Sequence, residues 1–342
     1  TEEVNVTVSF YAKEDSNTLS IKSKDKKQIE RELKRDFNVR YAAKTFNSVS
    51  LTINKKELER LNNLDYVKEV RIEPKVSLFL QDSTAIINTT KTWPLQVSGI
   101  NLTGIGQVVC IIDSGINYSH PDLGNCTKQQ FLSGNCSKVI GGYSFFNPVN
   151  TSAPNDVMGD NDHGTHIAGI IAANGSIRGI APDAKIVAIK ACGPSSACGP
   201  NAIVDGVNWC VENSSVYNVT VISMSLGTDA LSSIYCDSDW LELTTAVNNA
   251  AAKNISVVAA TGNSGNMTAI SNPACLSNAT SVGASDKSDN VWSLSNRNSI
   301  TDLFAPGVSI NSTALSGYVS QQGTSMASPH VSGAILLMRQ FL

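Results

Sequence analysis

Three short runs in this chain carry residue types able to do hydrolytic chemistry. They are Ile112-Asp113-Ser114-Gly115, Asp162-His163-Gly164-Thr165-His166 and Gly323-Thr324-Ser325-Met326-Ala327-Ser328-Pro329-His330. A serine hydroxyl is a weak nucleophile until a base accepts its proton. An imidazole is suited to that task near neutral pH, and a carboxylate can fix its tautomer and stabilise the imidazolium without taking the proton. Asp113, His163 and Ser325 supply these three roles, and Asp…His…Ser is one of the chain orders in which such a triad occurs. Asn263, in Ala260-Thr261-Gly262-Asn263-Ser264-Gly265, adds an amide able to donate to a tetrahedral oxyanion, with the Ser325 N–H as second donor.

Each residue also has a plainer reading. A serine opening a helix is commonly an N-cap, an aspartate ending a strand is often a turn former, and asparagine beside glycine is ordinary turn chemistry. The chain has four histidines, His120, His163, His166 and His330, each in or beside one of these runs. It is the length of the runs around all the candidates that favours chemistry. Together they resemble the subtilisin-like serine proteases, the subtilase family. The resemblance implies that His163, first of the His-Gly-Thr-His pair, is the base. His166 and His330 are then buried structural histidines and His120 a turn residue. It also implies that Ser225-Leu226-Gly227 pairs with an extended peptide substrate by strand addition, opposite a wall formed by the Cys192–Cys198 region. No acidic cluster suggests a taste for basic residues, so a broad or apolar preference is the default expectation.

These groups must be held by an α/β scaffold. Val108 to Ile112 is a continuous apolar strand of the kind buried on both faces, and Ile186–Ala191, Val219–Met224 and Ile255–Ala260 have the same character. Helical stretches follow at His166–Ala173, Ala202–Glu212 and Leu241–Lys253, and another runs from Ser325 towards Leu342. Alternation of this sort implies a mostly parallel sheet with helices on both faces, and functional groups gather at the carboxyl ends of its strands.

The first 80 residues are different in kind. They contain no glycine or cysteine and hold 16 Lys/Arg against 13 Asp/Glu, whereas all 24 glycines and 8 cysteines come later. This places a domain boundary near Leu80, giving domains 1–80 and 81–342. Periodicity in the first predicts strand, helix, strand pair, helix and strand (Val4–Tyr11, Lys26–Phe37, Val39–Phe46, Ser48–Ile53, Lys55–Leu61 and Tyr66–Ile72), the order of a ferredoxin-like α+β domain. Ahead of a subtilisin-like body it resembles that family's inhibitory, fold-assisting pro-domain, which implies self-cleavage near Val76-Ser77-Leu78-Phe79-Leu80. The alternative is an independent module that binds something else.

The net charge of −3 and the lack of a basic field argue against a nucleic-acid partner. No apolar run is long enough to span a bilayer. An even cysteine count suits disulfides in an oxidising compartment, and Cys126/Cys136 and Cys192/Cys198 bracket short loops. Zinc is the competing reading, but no Cys-x2-Cys pair exists, and pairing among Cys110, Cys210, Cys236 and Cys275 stays open. The chain carries 14 Asn-x-Ser/Thr sequons, about twice the chance expectation, which favours a glycosylated extracellular or cell-surface protein.

Catalysis by these residues needs no cofactor. A structural calcium is conceivable: Asp122 remains where family members bind one, although the loop from Ala173 to Arg178 is short, and Asp156, Asp160 and Asp162 offer carboxylate oxygens. Only 17 residues follow Ser325, where the resemblance implies further helix and strand. The expectation is a zymogen of a serine endopeptidase acting on protein or peptide substrates, with its own pro-domain as inhibitor. The rivals are a non-catalytic binding protein on the same scaffold, and an esterase or peptide ligase using the same triad.

Overall fold

The computed structural model describes residues 3–11, 25–42, 47–72, 81–146, 155–195 and 197–342. The chain divides into two compact units, Thr1–Ser77 and Leu78–Leu342.

In the first unit the order is β1 (Val4–Phe10), α1 (Lys26–Asp36), β2 (Asn38–Ala42), β3 (Ser48–Ile53), α2 (Lys55–Asn62) and β4 (Val67–Ile72). The sheet runs β2-β3-β1-β4 and its described pairings are antiparallel. Strict alternation sends Val6, Val8, Phe10, Val49, Leu51 and Ile53 to one face. There they meet Ile29, Leu33 and Leu61 of the two helices. Asp25 and Asn54 start those helices with capping boxes closed by Gln28 and Glu57. The predicted cleavage segment, residues 76–80, lies outside the described residues.

The second unit is built on seven strands: β5 (Val108–Asp113), β6 (Val139–Ser144), β7 (Lys185–Lys190), β8 (Val219–Met224), β9 (Ser256–Ala260), β10 (Ala279–Ser285) and β11 (Leu303–Pro306). They pair in the order β11-β10-β9-β8-β5-β7-β6, and every ladder is parallel. Parallel strands need crossovers. Helical ones are supplied by α3 (Asp162–Ala172), α4 (Pro200–Glu212) and α5 (Leu241–Ala252), while α6 (Thr324–Phe341) follows the last strand and packs against the sheet. Two apolar clusters lie on opposite faces of the sheet. One joins Val109 and Ile111 to Ile167, Ile171 and Leu336; the other joins Cys110 and Ile112 to Val207, Leu243 and Val247.

Four disulfides form: Cys110–Cys210, Cys126–Cys136, Cys192–Cys198 and Cys236–Cys275. The two short-loop pairs are those the spacing suggested. Cys110–Cys210 ties the interior strand β5 to α4, within the second apolar cluster.

Candidate active site

The carboxyl edge of the sheet gathers the candidate residues. Asp113 is the last residue of β5 and is 3% exposed. Its backbone carbonyl accepts from Ala191 N and Cys192 N at 2.8 and 3.2 Å, which fixes the strand end against its neighbour. His163 enters on the first turn of α3, whose N-cap is Asn161. The Asn161 side chain accepts from His163 N at 2.9 Å, pairing one of the donors a helix start leaves orphaned. Ser114 Oγ donates to the same asparagine oxygen at 2.8 Å and accepts from Gly164 N at 3.1 Å. Two small polar side chains thus stitch the loop after β5 to the helix that carries the imidazole. Glycine is required at 164, because a Cβ there would lie 2.2 Å from the Gly115 carbonyl oxygen.

His163 Nδ1 lies 2.8 and 3.0 Å from the two Asp113 carboxylate oxygens. Nδ1 therefore carries the proton and donates, leaving Nε2 as the lone pair. Nε2 has no hydrogen-bond partner among the described residues. Burial is the largest influence on this imidazole and pushes its pKa down. The charge of Asp113 and its hydrogen bond push it up, and they win, so His163 sits above the ordinary 6.5.

Ser325 is the second residue of α6, and its N–H lies in the first turn, where no intrahelical acceptor exists. Its carbonyl has also lost a helical donor, because Pro329 one turn later has no N–H. The Ser225 hydroxyl fills that place, donating to the Ser325 carbonyl at 2.9 Å while lying 3.0 Å from Ser328 Oγ. In return Ser325 Oγ donates to the Ser225 carbonyl at 3.2 Å. The hydroxyl thus rests on the end of β8, and no hydrogen bond joins it to His163.

Asn263 is oriented from one side. Its Oδ1 accepts from Thr324 N at 2.8 Å and Thr324 Oγ1 at 2.9 Å. Thr324 Oγ1 in turn accepts from Gly262 N at 3.1 Å. With the oxygen so engaged, the amide nitrogen is the end left to donate. Asn263, Thr324 and Ser325 line a cavity of about 340 Å³ together with Leu226 and Gly227. A second cavity of about 190 Å³ is lined by Asp113, His163, Cys192, Cys198 and Ser225 to Gly227. The disulfide loop and the strand-end segment thus border one space beside the imidazole. Gly227 makes no backbone hydrogen bond among the described residues, which leaves its N–H and carbonyl open to an added strand.

An aspartate-oriented imidazole with an open Nε2, a hydroxyl at a helix N-terminus and an aimed amide are the parts of an acyl-transfer site. Residues 104–342 match the model of the subtilase family. The chain belongs to that family. Among its relatives are subtilisin E of Bacillus subtilis, 34% identical over 86% of this chain and 71% of the relative, and the major intracellular serine protease of the same organism. The latter is 35% identical over 77% of this chain and 76% of its own length. A solved cold-adapted subtilisin-like serine proteinase overlays with a TM-score of 0.55 at 30% identity, covering 70% of this chain and 77% of that one. This subtilase is a serine endopeptidase, and its seven-stranded parallel sheet with helices on both faces is the fold of its relatives.

The carboxylates weighed as calcium ligands have protein partners. Asp122 is buried and accepts from Ser176 N, Ile177 N and Tyr318 Oη at 2.9 to 3.0 Å. Asp156 accepts from Tyr118 Oη and pairs with Lys128, Asp160 pairs with Lys190, and Asp162 accepts from Leu315 N. Among the described residues no three acidic, histidine or cysteine side chains cluster as a metal-ion site would need. His166 and His330 are buried, as the resemblance implied, and burial pushes each down to about 4. His120 caps the short turn at Pro121–Leu123.

Sequence reasoning missed the supporting shell of Ser114, Asn161 and Thr324, together with the hydroxyl role of Ser225. Only Asn161 left a signal, as a capping residue directly before a helix start.

Proposed function

We propose that this subtilase is a secreted endopeptidase made as a self-cleaving zymogen, with Asp113, His163, Ser325 and Asn263 as its catalytic set. The observation that carries the reading is the His163–Asp113 pair, with Nδ1 donating into a buried carboxylate and Nε2 open. A change of rotamer at Ser325 turns its hydroxyl from the Ser225 carbonyl to Nε2. His163 takes the proton as the oxygen attacks the scissile carbonyl, then returns it to the leaving amine. The oxyanion is met by the Asn263 amide and the Ser325 N–H at the positive end of α6. The substrate backbone runs as an added strand along Ser225, Leu226 and Gly227.

The first unit serves as inhibitor and folding aid, and cleavage near residues 76–80 releases it. An extracellular or cell-surface location is supported by four disulfides and 14 sequons. The test is the intact mass of freshly folded protein beside Ser325→Ala. Wild type should split near residue 80 while the variant stays whole. Identical processing of both would remove Ser325 from the reaction. Asn263→Ala should lower kcat by about 10²–10³, a magnitude known for the same donor in subtilisin and not worked out from this structure.

A further inference from the structure

The cavity beside Ser325 has polar groups aimed into it. Asn296 is 1% exposed, and its Oδ1 accepts from Ser264 N, Ser264 Oγ and Asn266 N at 3.0, 2.9 and 3.0 Å. Three donors on one atom settle which end of the amide is oxygen. Nδ2 therefore faces away from them, and no described residue accepts from it. Ser271 is 3% exposed, and its hydroxyl likewise has no partner among the described residues.

Gly262 lies between them at φ +102°. A methyl group there would sit 2.5 Å from Asn296 Nδ2 and 2.4 Å from Ser271 Oγ. Both polar groups thus converge on one point, kept open by the absent side chain, and all three residues line the 340 Å³ cavity. Leu226, Leu231 and Ala260 supply apolar wall, and the exposed Asp229 adds a carboxylate.

We propose that this cavity selects, in the residue whose carbonyl is attacked, a neutral side chain of moderate length ending in an amide, glutamine foremost. The inference rests on the reading of Ser325 as nucleophile and Asn263 as oxyanion donor. Both border the cavity, so the side chain beside the scissile carbonyl enters it. A glutamine oxygen accepts from Asn296 Nδ2, and its amide nitrogen donates to Ser271 Oγ. Methionine, of equal length, covers both groups and pairs neither, which costs the desolvation of a buried donor. Glutamate brings a second carboxylate into a space that Asp229 lines. Lysine and arginine have no acceptor to offer Nδ2. This differs from the apolar default suggested by the sequence.

The test is kcat/KM for peptide amides identical except at that one residue, carrying Gln, Met, Leu, Glu or Lys. They are assayed on wild type, Asn296→Asp and Ser271→Ala. Wild type should prefer Gln to Met by about tenfold, the value of one well-placed hydrogen bond. Asn296→Asp keeps an oxygen for the three internal donors and replaces the aimed donor with a carboxylate oxygen. It should abolish the Gln preference and raise Lys about tenfold. If that variant does not fold, Ser271→Ala should lower the ratio of Gln to Met turnover several-fold. Faster turnover of Met or Leu than Gln by wild type would overturn the proposal, as would an unchanged order in both variants. Cleavage in the wrong order sinks this inference alone. No Ser325-dependent cleavage of any peptide sinks it together with the protease reading on which it rests.

Discussion

Acidification should unfold this protein through two histidines that take no part in catalysis. His166 is 0% exposed and held by the carbonyls of Ile310 and Val319; His330 is 1% exposed and donates from Nδ1 to the Met326 carbonyl. Burial lowers each from 6.5 to about 4. Between those values the unfolded chain binds a proton that the native one refuses, so stability falls as pH falls. At pH 4.5 the loss relative to pH 7.5 comes to about 2–3 kcal/mol per histidine, or about 5 kcal/mol together. That is a large share of the stability of an ordinary domain. His163 acts with the opposite sign. Its raised pKa contributes stability that is full below 6.5 and fades as pH rises through the folded value. At pH 6.5 the two buried histidines still gain more with rising pH than His163 loses, so the histidine contribution peaks above pH 6.5. The assay is urea unfolding of Ser325→Ala, which prevents self-digestion, at pH 7.5, 6.5, 5.5 and 4.5. His330→Leu should roughly halve the slope on the acid side. Stability constant from pH 7.5 to 4.5, or a slope that His330→Leu leaves intact, would refute the argument.

Three further outcomes are expected. Asp113→Asn should preserve the fold and lower kcat by about 10⁴, because an amide can leave His163 in the wrong tautomer; circular dichroism and turnover check the two halves separately. The rate should rise with pH through a value above 6.5, since only neutral His163 can accept the proton, and a profile flat from pH 5 to 8 would contradict that. Chelation should leave the melting temperature within about 2 °C, because the Asp122 oxygens are already taken by two amides and a hydroxyl. Asp122→Ala, which orphans the Ser176 and Ile177 amides, should instead cost about 1–3 kcal/mol per unpaired buried donor in urea unfolding.

How much of this was legible beforehand depended on what each residue has to do alone. Continuous apolar runs exposed β5, β7, β8 and β9, because a strand covered on both faces needs them. The strands Val139–Ser144, Ala279–Ser285 and Leu303–Pro306 went unread. Gly141, Gly142, Ser281 and Gly283 dilute their pattern, and it is the packing of helices that makes them strands. Asp113, His163, Ser325 and Asn263 stood out as candidates from the runs around them. Their support could not. Ser225 and Ser325 lie 100 residues apart, and nothing local announces that a hydroxyl on one will replace the N–H that Pro329 withholds. Asn296 was equally silent, because its meaning lies in three donors from a loop some 30 residues away. The pairings of Cys110 with Cys210 and of Cys236 with Cys275 likewise depend on crossovers that spacing does not reveal.

The resting bond from Ser325 Oγ to the Ser225 carbonyl bears on which reagents this enzyme will notice. A peptide arriving as an added strand brings backbone N–H groups of its own, and one that pairs with that carbonyl displaces the hydroxyl towards His163. A sulfonyl fluoride or a simple ester brings no such donor and meets a hydroxyl still tied down. Peptide-like inhibitors should therefore outpace small electrophiles of equal intrinsic reactivity, and Ser225 becomes a latch that the substrate backbone opens.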